Sequence, residues 1–508
     1  MKIGEIDTDN YNAANLYKQM ATKREPFLQR AREAAELTLP RLFPPEGTDS
    51  NTQYANPYQS LGARGVNNLA NKIILSLFPP ATAFFKLSVP QEDLEAAGKG
   101  EGDMKEAVYG IETAVVDDME KSSLRPKLVD GLKQGIIGGC FVLYIPDDDN
   151  PRVFSLETFG VKRDSLGNVQ RLVIKETLSY SALSKEKQDL LKIQEEAILN
   201  GEKELDLYTV IIRESKDQFV VWQEINGLAL DSTAGQYSED DLPYKFIPLV
   251  EGGEDYGRAY VEDFIGDIKS LEGLRKALLE SAAESAKIIY LVKPNSTLNL
   301  KKLQGANSGD CLVGNEGDVT LLQSNKRLDM EITQREAQEL KMELSTAFLL
   351  DSAVRRNAER VTAEEIRKVS QELEVAFGGV YSTLANTLQR PIVKLYMKRQ
   401  EKKGRINEAI KKGLDLEITT GAAALGRGTN YQTIMTFVET LKSVIPEDQL
   451  GSTLDIPELV KRVAYSLDIN TGSLVKTSEQ QALESDEAQT NEIVQNVAPA
   501  IAQEVIKE

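Results

Sequence analysis

The segment 331–390 constrains the fold of this chain more than any other. A helical pattern runs to Leu350 and stops. A short loop follows, Asp351-Ser-Ala-Val-Arg-Arg-Asn-Ala-Glu-Arg-Val361, and it carries Arg355, Arg356 and Arg360. Thr362-Ala-Glu-Glu365 then opens a second, longer helix. Thr362 and Glu365 have the spacing of a capping box, in which the threonine hydroxyl accepts from one free N–H and the glutamate carboxylate from another. A chain that ends one helix, exposes guanidinium groups and restarts under a cap holds the intervening loop in place. Planar guanidinium forks match phosphate oxygens. Asp351 and Glu359 share the loop, so three arginines less two acids leave it a net +1. On this segment alone the simpler reading is an ordinary helix-helix turn with solvated arginines.

Composition narrows the function classes. At 508 residues the chain exceeds one ordinary core, so about two to four domains are expected. The formal net charge is −19. Proteins that coat nucleic acid are usually basic, so a coating role is disfavoured. A mostly acidic wall is still compatible with a surface along which a duplex slides. The chain contains no histidine. That removes Ser-His-Asp and Cys-His catalysis, histidine metal sites and the usual neutral-pH proton shuttle. Cys140 and Cys311 lie far apart with no CxxC, which suits a reducing, intracellular setting and no zinc site. Cys140 sits in an apolar run and reads as a small core residue. The first 30 residues lack an apolar signal region. The longest apolar run, GIIGGCFVLYI at 135–145, is well short of the roughly 20 residues a membrane helix needs. It reads as a buried strand, or as a strand preceded by a glycine turn.

Periodicity divides the chain. Residues 10–38 read as a helix with Leu16, Met20, Phe27, Ala31, Ala34 and Leu37 on its apolar positions. A second helix carries Val66, Leu69, Ile73 and Leu77 and ends at a double proline. Residues 104–134 are a further helical region. From about 141 to 248 the pattern turns to strands, at 153–156, 169–177, 206–213 and 218–223, with a helical insertion at 181–200. A long amphipathic helix is expected over 256–287. Short apolar runs separated by Pro, Asn and Gly at 288–330 make a small β-containing insert, and a second helix follows at 331–349. Two helices flanking a compact insert suggest an antiparallel pair with the insert at its tip. The helix from 362 carries Ile366, Val369, Leu373, Phe377, Val380, Leu384 and Leu388 on one stripe. Gly378-Gly379 in its middle is unfavourable unless a kink or close packing is wanted. The remainder is mostly helical to about 473, with a polar tail that suits loose order.

No phosphate-binding Gly-x-x-x-x-Gly-Lys-Ser/Thr occurs. Gly98-Lys-Gly-Glu-Gly102 lies in a polar stretch and reads as a loop. Asp147-Asp-Asp-Asn-Pro151 lacks the glycine and later glutamate of a calcium loop, so a strand-ending turn fits better. No metal site, cofactor or catalytic constellation emerges. Basic clusters are the remaining signal. Residues 390–412 hold nine Lys or Arg against two Glu. They form either a solvated face or partner contact, the simpler reading, or a second DNA-facing belt. Lys269, Arg275, Lys276 and Lys287 on the first long helix are surface residues or channel-lining ones.

Several ordered segments resemble one family: Pro40-Arg-Leu-Phe-Pro44; Gly62-Ala-Arg-Gly-Val-Asn-Asn-Leu-Ala-Asn71 through Leu77-Phe-Pro79; Leu249-Val-Glu-Gly252 with Glu254-Asp-Tyr-Gly-Arg-Ala-Tyr-Val261; Ser352-Ala-Val-Arg355; and Glu359-Arg-Val-Thr-Ala-Glu-Glu-Ile366 with Gly378-Gly-Val-Tyr-Ser382. They resemble the portal, or head-to-tail connector, proteins of short-tailed bacteriophages of the autographivirus type. The resemblance implies a predominantly helical α+β fold with wing, stem, clip and crown. It implies a ring of about twelve subunits at one capsid vertex, without catalysis of its own. It places residues 1–255 in the wing, 256–287 in the first stem helix, 288–330 in the clip and 331–349 in the second stem helix. The tunnel loop is then 350–361, the kinked wing helix 362–390, and the crown and tail 391–508. The implied partners are double-stranded DNA, the terminase large subunit, major capsid and scaffolding proteins, tail adaptor proteins and internal core proteins, with no membrane. The setting is the virion, reached from the host cytoplasm during assembly. Arg355, Arg356 and Arg360 then become a cationic ring at a constriction. Which of them faces DNA, and whether one pairs with Glu364 or a neighbouring subunit, stays open. A virion assembly protein without a channel is the alternative. An enzyme working through carboxylates is a third reading, and the missing histidine and nucleotide loop weigh against it.

Overall fold

The structure, a computed structural model, describes residues 12–350 apart from 49–50, 55, 80–83, 89–100, 184, 186–187, 189–203, 226, 253–254, 288 and 323–326. It also describes 369, 371–375, 383–404, 415–417, 435–441, 459–460 and 463. The whole polar tail and much of the region expected to be the crown therefore lie outside the described residues.

The first helix, α1 (Ala13–Glu36), starts where the Asn12 side chain accepts from the Asn15 N–H at 3.0 Å. The Glu224 carboxylate accepts from the Ala13 N–H at 3.1 Å, so two of the four free N–H groups at this end are satisfied. Next come α2 (Leu61–Leu77), β1 (Lys86–Ser88), α3 (Glu101–Lys121) and α4 (Leu124–Gly138). The helical region expected at 104–134 is thus two helices, parted at Ser123, whose φ of 54° lies in the left-handed region. Of the glycine-rich stretch expected as a loop, Glu101 and Gly102 are helical, because the apolar stripe Val108, Ile111, Val115 and Met119 continues the helix onto the core.

The run at 135–145 is a helix end, a glycine turn and a strand. Gly139 has φ +86°, and it turns the chain from α4 into β2 (Cys140–Tyr144). Cys140 is fully buried, and burial pushes its thiol up to about 12, as befits an inert core residue. The strands β3 (Arg152–Phe154), β4 (Phe159–Arg163), β5 (Val169–Ser179), β6 (Glu204–Arg213), β7 (Gln218–Ile225), β8 (Leu228–Ser238) and β9 (Tyr244–Pro248) follow. They form two antiparallel sheets. One has the order β3-β2-β9, and the other is a meander, β4-β5-β6-β7-β8. Periodicity reveals β5 to β7 but not β4, β8 and β9, which are short or polar on one face. The Asp147–Asn150 stretch is the turn expected between strands: the Asp149 carboxylate accepts from the Asn150 N–H at 2.7 Å.

Helix α1 packs on the meander. Ala13, Leu16 and Met20 meet Val173, Val210, Val220 and Trp222. Arg24, only 6% exposed, donates to the Phe159 carbonyl at 2.8 Å and to the Tyr17 hydroxyl at 3.0 Å, so its charge is buried with partners. The larger core joins α2, α3, α4, the three-stranded sheet and the helices described next.

The helix expected to begin at 256 begins later. Residues 256–264 close the N-terminal core instead: Tyr256 is buried, Arg258 bridges to Val250, and Val261–Phe264 is a single 3-10 turn. Helix α5 (Ile265–Ser285) then leaves the core. It leads to a hairpin of β10 (Ile289–Val292) and β11 (Val319–Leu322), with the short α6 (Leu300–Gln304) between the two strands. Helix α7 (Arg327–Ala347) returns beside α5. The expected pair of helices flanking a small β insert is thus present in the structure.

Beyond 350, the chain re-enters the core as α8 (Arg390–Lys402) after a π-helical turn at Ala385–Gln389, and β12 (Asp415–Glu417) pairs with β1. The basic stretch around α8 lies against acids of the N-terminal region. Lys394 pairs with Asp240 at 2.7 Å, Lys398 with Asp241 at 3.1 Å and Lys403 with Asp118 at 2.7 Å, while Lys402 meets Asp147. Arg399 is 5% exposed and donates to the carbonyls of Pro146 (2.9 Å) and Asp149 (2.6 Å). These described residues therefore dock α8 on acids of the same chain. Arg399→Ala is expected to lower unfolding stability by about 3 kcal/mol, because it removes a buried guanidinium that faces Asp118 and donates to two carbonyls. Lys398→Ala, at a half-exposed pair, should cost under about 1 kcal/mol. Denaturant titration of both variants checks the ratio.

Candidate functional site

Arg355, Arg356, Arg360, Thr362, Glu365, Gly378 and Gly379 all lie outside the described residues. The structure describes the ends that flank the loop, and both ends converge on α2.

The outgoing end stops in a well-defined way. The Leu350 N–H donates to the Ser345 carbonyl at 2.7 Å and the Leu349 N–H to the Thr346 carbonyl at 3.0 Å. This pair of bonds makes a Schellman cap, whose turning residue is usually glycine because its φ is positive. Here it is Leu349, with φ 53°. A leucine in that conformation costs roughly 1–2 kcal/mol and persists only where its surroundings hold it.

Helix α2 provides the hold. Its Asn68 amide donates to the carbonyls of Phe348 (3.0 Å) and Leu349 (2.9 Å). Lys72 Nζ donates to the Leu349 carbonyl at 2.7 Å. The Tyr260 hydroxyl donates to the Ala347 carbonyl at 2.9 Å. Free carbonyls at the end of α7 thus receive side-chain donors, and a cation sits at the negative end of the helix dipole. Phe348 is fully buried against the edge of Tyr260 (5.9 Å between centroids) and beside Phe264. Gly65 faces the Phe348 ring, and a Cβ there would come within 2.6 Å of it. Gly65, Asn68 and Lys72, at steps of three and four, therefore make one face of α2.

The returning end meets the same face. Glu372 forms an ion pair with Lys72 at 3.6 Å, longer than a hydrogen bond, and its neighbours Val369 and Leu373 are fully buried. Lys72 is 5% exposed. Burial pulls its ammonium below the usual lysine range, and the Glu372 carboxylate opposes that shift. Further along, the buried Gln389 donates from Nε2 to the Leu77 carbonyl at the end of α2. At the start of α2, the Glu272 carboxylate of α5 accepts from the N–H groups of Tyr58 (2.8 Å) and Gln59 (3.1 Å). The Gln59 side chain in turn accepts from the Gly62 N–H at 2.8 Å. Helix α2 is thus tied to α5, to the end of α7 and, at Glu372 and Gln389, to the returning chain.

The four lysines and arginines expected on the first long helix separate. Lys269 pairs with Glu33 of α1. Arg275, Lys276 and Lys287 are exposed, with no ion-pair partner among the described residues. Asn68 and Lys72 were not picked out by sequence reasoning. Their signal is a polar stripe at a step of four on a helix whose adjacent stripe, Leu69, Ile73 and Leu77, is buried. Among the described residues no cluster of acids or cysteines suits a metal ion, and no helix is long and apolar enough to cross a membrane.

The sequence profile of the family "Bacteriophage head to tail connecting protein" matches residues 10–474. The chain is 32% identical over 505 residues to the portal protein of Escherichia phage T7, covering 97% of this chain and 93% of that protein. It is 34% identical over 499 residues to the portal protein of Enterobacteria phage T3, covering 95% and 92%. A solved structure described as "Neck of native GTA particle computed with C12 symmetry" aligns at 12% identity and a TM-score of 0.32, covering 74% of this chain and 85% of that one. That likeness is too distant to bear on the fold.

Gly65→Ala drives a methyl group into the Phe348 ring and should lower stability by about 2 kcal/mol. Tyr260→Phe removes one donor from the Ala347 carbonyl and should cost about 1 kcal/mol. Thermal unfolding monitored by circular dichroism tests both.

Proposed function

This chain belongs to the bacteriophage head to tail connecting protein family, whose T7 and T3 relatives are portal proteins, and on that premise we propose that its copies form a ring-shaped channel for double-stranded DNA. The carrying observation is the family match over residues 10–474, nearly the whole chain. Phage portal proteins are virion components at the connection of head and tail, and they are structural proteins rather than enzymes.

In this reading about twelve subunits surround the channel at one capsid vertex. The N-terminal core through residue 264 forms the wing, helices α5 and α7 form the stem, and the hairpin insert between them forms the clip at its tip. Residues 350–361 form the tunnel loop and 362–390 the kinked wing helix; α8 and β12 stay with the wing they pack on, and the rest of 391–508 forms the crown and tail. The antiparallel α5 and α7 with their hairpin insert support the stem and clip assignment. The cap at Leu349 and the donors from α2 support a loop whose base is held in register. The terminase large subunit docks on the clip during packaging and supplies the driving force. Tail adaptor proteins take its place afterwards, capsid and scaffolding proteins surround the wing, and internal core proteins meet the crown. Assembly takes place in the host cytoplasm.

The physical logic is electrostatic. Each copy contributes Arg355, Arg356 and Arg360 at one level of the channel, so their repeat makes a cationic ring. Guanidinium groups make transient bonds to phosphates, while the acidic remainder of a chain at −19 keeps other contacts weak. DNA is then slowed and retained at one level without being gripped along its length.

Electron microscopy of the purified protein tests the ring: views down the symmetry axis should show a hole of roughly 20 Å or more, wide enough for a duplex. Only monomers or open filaments, with scaffold and capsid proteins present, would count against it. The double variant Arg355→Ala with Arg356→Ala should still form rings yet package or retain less full-length genome. Normal yields of packaged genome from that variant would sink the proposed role of the loop.

A further inference from the structure

Lys72 stands out because one buried ammonium touches both chain ends that flank residues 351–368. Its Nζ donates to the Leu349 carbonyl at 2.7 Å on the outgoing side and pairs with Glu372 at 3.6 Å on the returning side. The residue itself is 5% exposed and sits in the middle of α2. A lysine is rarely so buried unless paired, and here the two partners come from segments on opposite sides of the loop.

We infer that Lys72 is the positioning residue of the tunnel loop: it fixes the separation and register of the loop's two ends, and through them the level at which Arg355, Arg356 and Arg360 meet DNA. The inference rests on the channel reading given above.

Three features of the geometry carry it. First, the two attachments differ in kind. On the outgoing side Lys72 is one of three side chains, with Asn68 and Tyr260, that saturate the last carbonyls of α7. On the returning side Glu372 is 37% exposed, and its contact is an ion pair without hydrogen-bond geometry. The outgoing end is therefore a fixed post and the returning end a tether. Second, Leu349 holds a left-handed conformation that a leucine resists. The Lys72 and Asn68 bonds to its carbonyl help keep that conformation, so loss of the ammonium releases the direction in which the chain leaves the cap. Third, a neutral side chain cannot replace Lys72 by packing alone, because both partners present negative charge: a helix C-terminus and a carboxylate.

The test uses the full-length protein with Cys311→Ser and spin labels at Thr346→Cys and Val375→Cys. Both label positions are exposed, and Cys140 is buried. Labelled subunits are diluted into unlabelled ones so that only distances within one chain are read. With Lys72 present, the label-to-label distribution should be narrow. In Lys72→Met it should shift and broaden by about twofold in width, as two populated positions replace one. Lys72→Arg should restore most of the narrow distribution, and Glu372→Gln should broaden it to a lesser degree while leaving the folded core intact. Packaged-genome retention should fall in the same order. An unchanged distribution in both Lys72→Met and Glu372→Gln overturns the inference. If Lys72→Met does not fold, Glu372→Gln alone decides, since it removes the charge of a half-buried side chain without changing its size. Failure of the channel reading looks different: the distribution broadens as expected, but genome retention changes neither in these variants nor in Arg355→Ala with Arg356→Ala.

Discussion

The described architecture depends on a polar stripe on α2 that is half-buried at Asn68 and buried at Lys72. A helix whose apolar stripe is Val66, Leu69, Ile73 and Leu77 satisfies the core by itself. Placing Asn68 and Lys72 beside that stripe is unfavourable unless each finds partners, because buried polar groups left unpaired are costly. The partners they find are the carbonyls that end α7 and the carboxylate of Glu372. Helix α2 therefore selects where α7 stops and where the chain returns. The Glu272 carboxylate at its start and Gln389 at its end extend the same tie to α5 and to the turn before α8.

Charge is distributed by the same rule of local pairing. The basic stretch around α8 reads, as sequence, as a solvated face or partner contact, or else as a second DNA-facing belt. In the structure Lys394, Lys398, Lys402 and Lys403 meet Asp240, Asp241, Asp147 and Asp118, and Arg399 holds the turn after β2. Lys269 meets Glu33. The same accounting leaves Arg275, Lys276 and Lys287 without an ion-pair partner among the described residues, all on the stretch from α5 to β10.

Much of this was legible before the structure, and the remainder was hidden for physical reasons. Helix α1, helix α2, the strands β5 to β7 and the helix pair with its β insert announce themselves, because their apolar positions repeat at 3.6 or 2 residues over long spans. Strands β4 and β9 are too short to show a period, and β8 is mostly half-exposed. The start of α5 was misplaced by nine residues, from 256 to Ile265, because Val261 and Phe264 keep helical spacing while the backbone is a bridge and a 3-10 turn. The clamp at Lys72 was invisible for a different reason. A lysine on an amphipathic helix normally extends to solvent, and only tertiary contacts from residues far along the chain reveal that this one does not. The loop arginines stand where the sequence reading left them, outside the described residues.

The crossing at Gly139 and Gly257 sets a limit of another kind. The two backbones pass so close that a Cβ on either residue would overlap the carbonyl of the other, and Gly139 also needs its positive φ. Each glycine is therefore required on account of its partner, and neither can be relieved by changing a neighbouring side chain, since the obstacle is main chain. Such a pair behaves as a single indivisible unit: a side chain added to one cannot be accommodated by any substitution at the other. The approach to the helix pair from the N-terminal core thus rests on a contact that only two glycines can make.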